Sequence, residues 1–135
     1  MPKVSKTTAA TQMKIPGLMD AASAEIGEYN VEIVRWDTEM DFAFTLMGLP
    51  NVQCQAHHVG YILKGSLSFP LADGGVEGFV AGEAVVLVPG RNAPVVAAGS
   101  EWVMFTPIEE AKAMAPVVQA NMMKYAQEQG IELPS

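Results

Sequence analysis

The stretch NVQCQAHHVGYILKG, residues 51–65, contains the only cysteine of the chain, Cys54, and both of its histidines, His57 and His58. Thiol and imidazole groups are common metal ligands and proton-transfer groups near neutral pH. Since all three lie within five consecutive residues, we expect any chemistry beyond that of carboxylates and lysines here. The stretch continues into an apolar Tyr-Ile-Leu run that ends at Gly65, which indicates a β-strand.

The composition excludes several classes of function. The chain has 135 residues, of which 50% are hydrophobic and 17% charged, so we predict one globular domain with a substantial core. A net charge of −7 argues against binding to nucleic acid or to an anionic membrane, because both attract basic surfaces. The single cysteine excludes an intrachain disulfide framework. With no signal-peptide pattern and no apolar run of membrane-spanning length, a cytoplasmic protein is expected.

The segment around this stretch predicts a series of short strands. Apolar and polar residues begin to alternate at Tyr29, and Gly/Pro turns recur up to Phe105. Asp73-Gly74-Gly75 predicts a tight hairpin, because primed turns need positive φ. The predicted strands cover residues 29–36, 42–47, 54–63, 66–71, 76–80, 84–88, 95–98 and 102–105. Strands of this length and spacing predict an all-β, antiparallel barrel or sandwich over residues 29–106.

The two ends of the chain differ from this segment. Residues 1–28 predict an N-terminal arm with a short helix over residues 18–26. Thr106-Pro107-Ile108-Glu109 matches a capping box, and apolar residues then recur at steps of three and four. This pattern predicts a C-terminal segment, residues 107–135, that is helical up to about residue 129.

Nine methionines suggest more apolar surface than one small core needs. The helix end with Met122, Met123 and Tyr125 is expected to pack on the outside of the barrel or on a second subunit. We therefore predict a homodimer that buries this helix, a sheet edge, or both.

From about Trp36 to Pro107 the sequence resembles the cupins, small β-barrels that carry two motifs. The first has a His-x-His pair, a Glu or Gln and a glycine, and the second has a glycine, a proline and a histidine. The residues from His58 to Gly65 have the first motif's spacing, and the stretch GEAVVLVPG, residues 82–90, is similar to the second. The resemblance implies a small single-domain cupin, an RmlC-like jelly roll with a ligand site in its barrel.

The resemblance also implies a divalent metal, which three histidines and one carboxylate or amide usually hold in cupins. The corresponding positions here are Val52, Cys54, His58 and Ala93, and Arg91 replaces an alternative histidine. Valine and alanine offer no lone pair, and arginine repels a cation. Only Cys54 and His58 remain as possible ligands, and a zinc site needs three or four protein ligands, so we predict no cofactor. A metal held by Cys54 and His58 is the alternative.

In the cupin frame Cys54 and His58 face inward together, because they are four residues apart on a strand. We expect His58 to act as a general acid or base and Arg91 to bind an anion at the barrel mouth. Cys54 is explained equally well as a ligand, as a nucleophile or as a small buried residue. Trp36 and Tyr61 are candidate substrate-binding residues, for which packing is the simpler alternative.

Three functions remain open at this point. The first is a small-molecule-binding protein which, as an enzyme, would be a metal-independent lyase or isomerase for a small, partly apolar anionic substrate. The second is a metal-dependent lyase, isomerase or oxygenase that uses Cys54 and His58. The third is a non-catalytic sensor or assembly module. Val52 and Ala93 favour the first or third function, and Glu32 is expected to be an ordinary surface carboxylate.

Overall fold

Antiparallel strands make up most of the computed structural model, which describes residues 1–131. The strands are β1 (Thr11–Ile15), β2 (Met19–Ile26), β3 (Tyr29–Trp36), β4 (Met40–Asp41), β5 (Gln53–Cys54), β6 (His58–Lys64), β7 (Ser66–Pro70), β8 (Val76–Val80), β9 (Ala84–Leu87), β10 (Arg91–Asn92), β11 (Val95–Val96) and β12 (Glu101–Pro107). Two 3-10 turns, Phe42–Leu46 and Pro50–Val52, precede β5, and one helix, α1 (Ile108–Glu128), follows β12. The last four residues of the predicted C-terminal segment, 132–135, lie outside the described residues.

The strands form a larger and a smaller sheet. The larger has the order β1-β2-β3-β12-β6-β9 and the smaller β4-β11-β7-β8, while β5 and β10 pair only with each other. The last strand, β12, lies between β3 and β6, so residues distant in sequence meet at the centre of the larger sheet. The predicted all-β fold with a C-terminal helix is confirmed.

The core joins both sheets and the helix. Side chains alternate between the two faces of a strand, so every second residue of the larger sheet faces the interior. The buried members of this core include Val34, Ile62, Leu67, Trp102 and Met122.

The helix α1 closes over this core. Met122 is buried in it, and the ring of Tyr125 stacks on Phe44 with ring centroids 4.6 Å apart, whereas Met123 is exposed. Across residues 1–131, no helix combines the length and the apolar character that a membrane span requires.

The helix predicted over residues 18–26 is wrong, because Met19–Ile26 is strand β2. This strand pairs with β1 on one side and along its whole length with β3 on the other. Hydrogen bonds from two neighbouring strands outweigh the local helix preference of its alanine, methionine and glutamate residues. The predicted N-terminal arm therefore supplies two strands of the larger sheet. Ahead of them, Lys6 forms an ion pair with Glu101 of β12.

The strand predicted over residues 42–47 is also wrong, since Phe42–Leu46 forms a 3-10 turn. The Asp41 carboxylate accepts a hydrogen bond from the Ala43 N–H at 2.9 Å, and the Thr45 hydroxyl donates one to the Phe42 carbonyl at 2.7 Å. Such local side-chain bonds to the backbone compete with sheet formation.

Thr106 does not cap α1, although the sequence matches a capping box. Pro107 occupies the cap position and makes no side-chain cap hydrogen bond. Thr106 belongs to β12, and its hydroxyl lies 2.5 Å from Nδ1 of His58. The residue that the local pattern assigns to the helix end thus becomes part of the cavity described below.

The outer face of the larger sheet carries an exposed apolar patch, which we name the outer patch and define as Val59, Tyr61, Leu63, Val86 and Phe105. Val59 pairs with Phe105 on one side and with Val86 on the other, so these side chains are neighbours. Contiguous apolar surface of this kind often marks an interface. We therefore predict that the expected homodimer forms through the outer patch.

Tyr61→Glu is expected to dissociate this dimer. An unpaired buried carboxylate costs about 3 kcal/mol or more, roughly a hundredfold in the dissociation constant. Sedimentation velocity at roughly 50 μM protein would then show a monomer, since dimer content depends on concentration. The matched control is Met123→Glu, at an exposed position of α1, which should leave the dimer intact. A monomeric wild type would refute the dimer, and dissociation by Met123→Glu alone would place the interface on the helix.

Candidate functional site

A cavity of about 420 Å³ lies inside the barrel, bordered by the inner face of the larger sheet and by α1. This volume is within the range of small-molecule sites, about 300–1,000 Å³. Most of the lining is apolar, with side chains that include Met13, Val34, Trp102, Met104 and Val118. The polar lining residues discussed below are Glu32 and a group that we name the polar cluster, which consists of Cys54, His58, Arg91 and Thr106.

His58, the first residue of β6, is held at both ring nitrogens. Its Nδ1 lies 2.5 Å from Oγ1 of Thr106, and its Nε2 lies 3.6 Å from Sγ of Cys54. Burial, and secondarily the charge of Arg91, lowers the pKa of His58 to about 4, although Glu110 acts in the opposite direction. The imidazole is therefore neutral at pH 7. In a neutral imidazole one ring nitrogen carries the hydrogen and donates a hydrogen bond, and the other accepts a hydrogen bond or a proton.

Cys54 and Arg91 lie directly opposite one another in the β5–β10 pair. Nη2 of Arg91 donates to Sγ of Cys54 at 3.0 Å, and Nη1 donates to the carbonyl oxygens of Ala56 and Val88 at 2.7 and 2.8 Å. Burial lowers the pKa of Arg91, but a guanidinium remains charged at neutral pH. Of its five N–H donors, two have no partner within the described part of the chain.

Glu32 of β3 lines the cavity, so its assignment to the surface is wrong. It shares the inner face of β3 with Val34 and Trp36, because side chains alternate along a strand. Its side chain is partly exposed because it borders the cavity, and protein surrounds the rest of it. This burial raises the pKa of the Glu32 carboxyl. The sequence did contain a signal for this position. Glu32 is four residues from Trp36, which was a predicted pocket residue, and residues an even number apart on a strand share a face.

Four of the five predicted site residues meet in this cavity: Trp36, Cys54, His58 and Arg91. The prediction that Tyr61 lines the pocket is wrong, since its side chain is 42% exposed and belongs to the outer patch. It lies three residues after His58 on the same strand and therefore points to the opposite face.

Trp36 is mainly a packing residue of the cavity wall. Its ring centroid lies 4.8 Å from that of Phe42 and 6.5 Å from that of Trp102. Its Nε1 is buried and has no hydrogen-bond partner among residues 1–131.

The cavity residues do not fit a divalent metal ion. In the described range, no three His, Cys, Asp or Glu side chains lie close enough to share an ion. Cys54 and His58 are neighbours, but Arg91 directs a guanidinium N–H at the cysteine sulfur and so places a positive charge beside both. Val52 is exposed, and Ala93 is buried but has no donor atom.

Comparison with solved structures supports the fold. The chain is similar to the polyketide cyclase RemF from Streptomyces resistomycificus, with a TM-score of 0.53, 16% identity and 79% of each chain covered. It is similar to a protein with a double-stranded β-helix domain from Klebsiella pneumoniae, with a TM-score of 0.50, 12% identity and 78% of this chain and 83% of that chain covered.

An RmlC-like cupin from Shewanella frigidimarina aligns with a TM-score of 0.47 and 16% identity over 72% of this chain and 83% of that chain. No protein-family model and no curated protein matches the sequence. The chain has a double-stranded β-helix fold, the kind of small β-barrel that the resemblance of its motifs implied. Identities this low carry over the fold alone.

Proposed function

We propose that the barrel binds a small, partly apolar anionic molecule and moves a proton on it without a metal, as a lyase or an isomerase. The observation that carries this proposal is the charge of Arg91, which no carboxylate within residues 1–131 neutralises, beside a neutral histidine in an apolar cavity. RemF, named as a polyketide cyclase, is an example of this fold in an enzyme that acts on small molecules.

The charge of Arg91 supports an anionic ligand. Among residues 1–131, no carboxylate lies within ion-pair distance of Arg91. A buried charge without a counter-charge is costly, and an anion from solution would remove that cost. The two unpartnered N–H donors of the guanidinium suit the two oxygens of a carboxylate.

The polar cluster supports proton transfer. A neutral imidazole accepts a proton from a bound molecule without first losing one itself. Cys54 lies 3.6 Å from Nε2, so its sulfur lines the same part of the cavity as the imidazole. The apolar walls exclude water from the rest of the ligand, which strengthens the electrostatic interactions inside the cavity.

Arg91→Ala is expected to weaken binding of 3-phenylpropanoate more than binding of its amide, which has the same shape and no charge. The expected difference is about 1.5–3 kcal/mol, the value of a charge-assisted hydrogen bond. Isothermal titration calorimetry with both compounds measures this difference within one variant, so general damage to the pocket cancels. Equal losses for the two compounds would contradict the anion-binding role.

Two further variants complete this test. Arg91→Lys retains the charge but loses the planar fork, so we expect an intermediate loss of carboxylate affinity. Arg35→Ala is the matched control. Arg35 is exposed and pairs with Asp20 and Asp37, and its removal should leave both affinities unchanged.

A further inference from the structure

Glu32 is a titratable cavity residue that the proposed function does not use. It lies in the middle of β3, where it pairs with Ser23 of β2 and with Met104 of β12. Within residues 1–131 its carboxyl group has no hydrogen-bond or ion-pair partner and is not fully enclosed, so it opens on the cavity. Glu25, on the same wall, differs because it pairs with Lys112 at 3.8 Å. A carboxyl group that lines an apolar cavity without any protein partner is available to a ligand.

Glu32 and His58 rise from the same face of the larger sheet. One strand, β12, separates β3 from β6, and Glu32 is level with Gly60, two residues along β6 from His58. Neighbouring strands lie about 4.8 Å apart and each residue advances about 3.4 Å along a strand, so the Cα atoms of Glu32 and His58 are roughly 12 Å apart. Both side chains point into the one cavity. A small molecule between them contacts the two groups at different atoms.

The two groups have complementary proton states. Burial raises the pKa of the Glu32 carboxyl and lowers that of the His58 imidazole, so the acid retains its proton to higher pH while the base stays neutral. Environments that push two pKa values apart in this way separate the roles of acid and base.

We propose that Glu32 is a second proton-transfer residue and that the substrates are carboxylates with a ketone group and an adjacent acidic C–H, as in 2-oxo acids. This inference rests on the proposed function, in which Arg91 binds the carboxylate. His58 takes the proton from carbon as that C–H bond breaks, and Glu32 gives its proton to the ketone oxygen, which forms an enol. The reverse transfers return a proton to carbon and restore both residues. No electrons are gained or lost, so no oxidant or reductant is needed.

The test uses phenylpyruvate, which combines an aromatic ring, a carboxylate, a ketone and an acidic methylene. Proton NMR in D₂O follows the exchange of the methylene protons, and calorimetry measures binding. The wild type is expected to bind phenylpyruvate and to accelerate exchange. Glu32→Gln should bind within about threefold of the wild type, but its exchange should slow by about a hundredfold or more, as for loss of a general acid. Glu39→Gln, at an exposed site away from the cavity, is the matched control and should not change exchange.

The outcomes separate the two proposals. A wild type that does not bind phenylpyruvate counts against the proposed function, whereas normal binding with equal exchange in Glu32→Gln overturns the role of Glu32. Binding without exchange in the wild type overturns it as well. A carboxyl ¹³C titration of the free protein, with Glu32 assigned from Glu32→Gln, tests the acid without any ligand. A Glu32 signal that titrates together with the exposed glutamates would overturn the proposal.

Discussion

Acidification from pH 7 to pH 4 is expected to remove about 3 kcal/mol of folding free energy through His58. The pKa of His58 is about 4 in the folded protein, against an ordinary value of 6.5. Between these values the unfolded chain binds a proton that the folded chain does not, so stability falls as the pH falls. Each pH unit in this window contributes about 1.4 kcal/mol. Above pH 6.5 the side chain of His58 is neutral in both the folded and the unfolded protein, so it no longer makes the stability depend on pH.

The comparison of wild type with His58→Gln isolates this contribution, because the other titrating groups are common to both. Urea unfolding at pH 7, 5.5 and 4 should show a stability loss that is smaller in the variant by about 3 kcal/mol. His57→Gln is the control: this histidine is exposed and pairs with Glu110 at 2.8 Å, so its removal leaves His58 buried, and the stability loss attributed to His58 should persist. Equal acid sensitivity in wild type and His58→Gln would show that His58 is not buried in its neutral form.

Arg91→His is expected to create a zinc site in the cavity. The substitution removes the guanidinium and places an imidazole directly opposite Cys54 in the β5–β10 pair, where facing Cβ atoms are about 5 Å apart. Together with His58 this makes three nitrogen or sulfur ligands and leaves a fourth position for water, the usual arrangement of a catalytic zinc site. At a free zinc concentration of about 100 times the dissociation constant, the variant should gain about 2.7 kcal/mol of stability.

Thermal unfolding with and without zinc at pH 7.5 measures this gain. The wild type and Arg91→Ala are expected to show no comparable rise in Tm, since both lack the third ligand. Adding Cys54→Ser to Arg91→His should reduce the gain, because zinc in such sites favours a thiolate. A rise of several degrees in the wild type would favour the alternative in which Cys54 and His58 hold a metal.

Much of the fold and part of the site follow from local sequence patterns. The alternation of apolar and polar residues predicts strands, and the apolar residues at steps of three and four after Pro107 predict a helix. Each of these patterns depends only on which side chains share one face of a single strand or helix. Cys54 and His58 were expected to share a face of one continuous strand, but Cys54 ends β5, His58 begins β6, and the three residues between them belong to neither strand. Arg91 was placed at the site by the resemblance to the second cupin motif, which encodes the turn that brings β10 beside β5.

Other features depend on which elements meet in space. The segment 18–26 is rich in helix-forming residues, yet Met19–Ile26 pairs with β1 and β3, and no local pattern reports those partners. Thr106 matches a helix cap, but β12 pairs with β6 and brings its hydroxyl to His58 instead.

By itself the sequence determined the strand and helix periods and the position of the thiol and imidazole groups, because these are properties of neighbouring residues. The tertiary structure alone decided which face of β3 is the interior. Apolar residues occur on both faces, with Val31 and Ile33 on one and Val34 and Trp36 on the other, so periodicity does not distinguish them. Glu32 lies on the cavity side because α1 closes over that face, and this contact depends on residues far away in the chain.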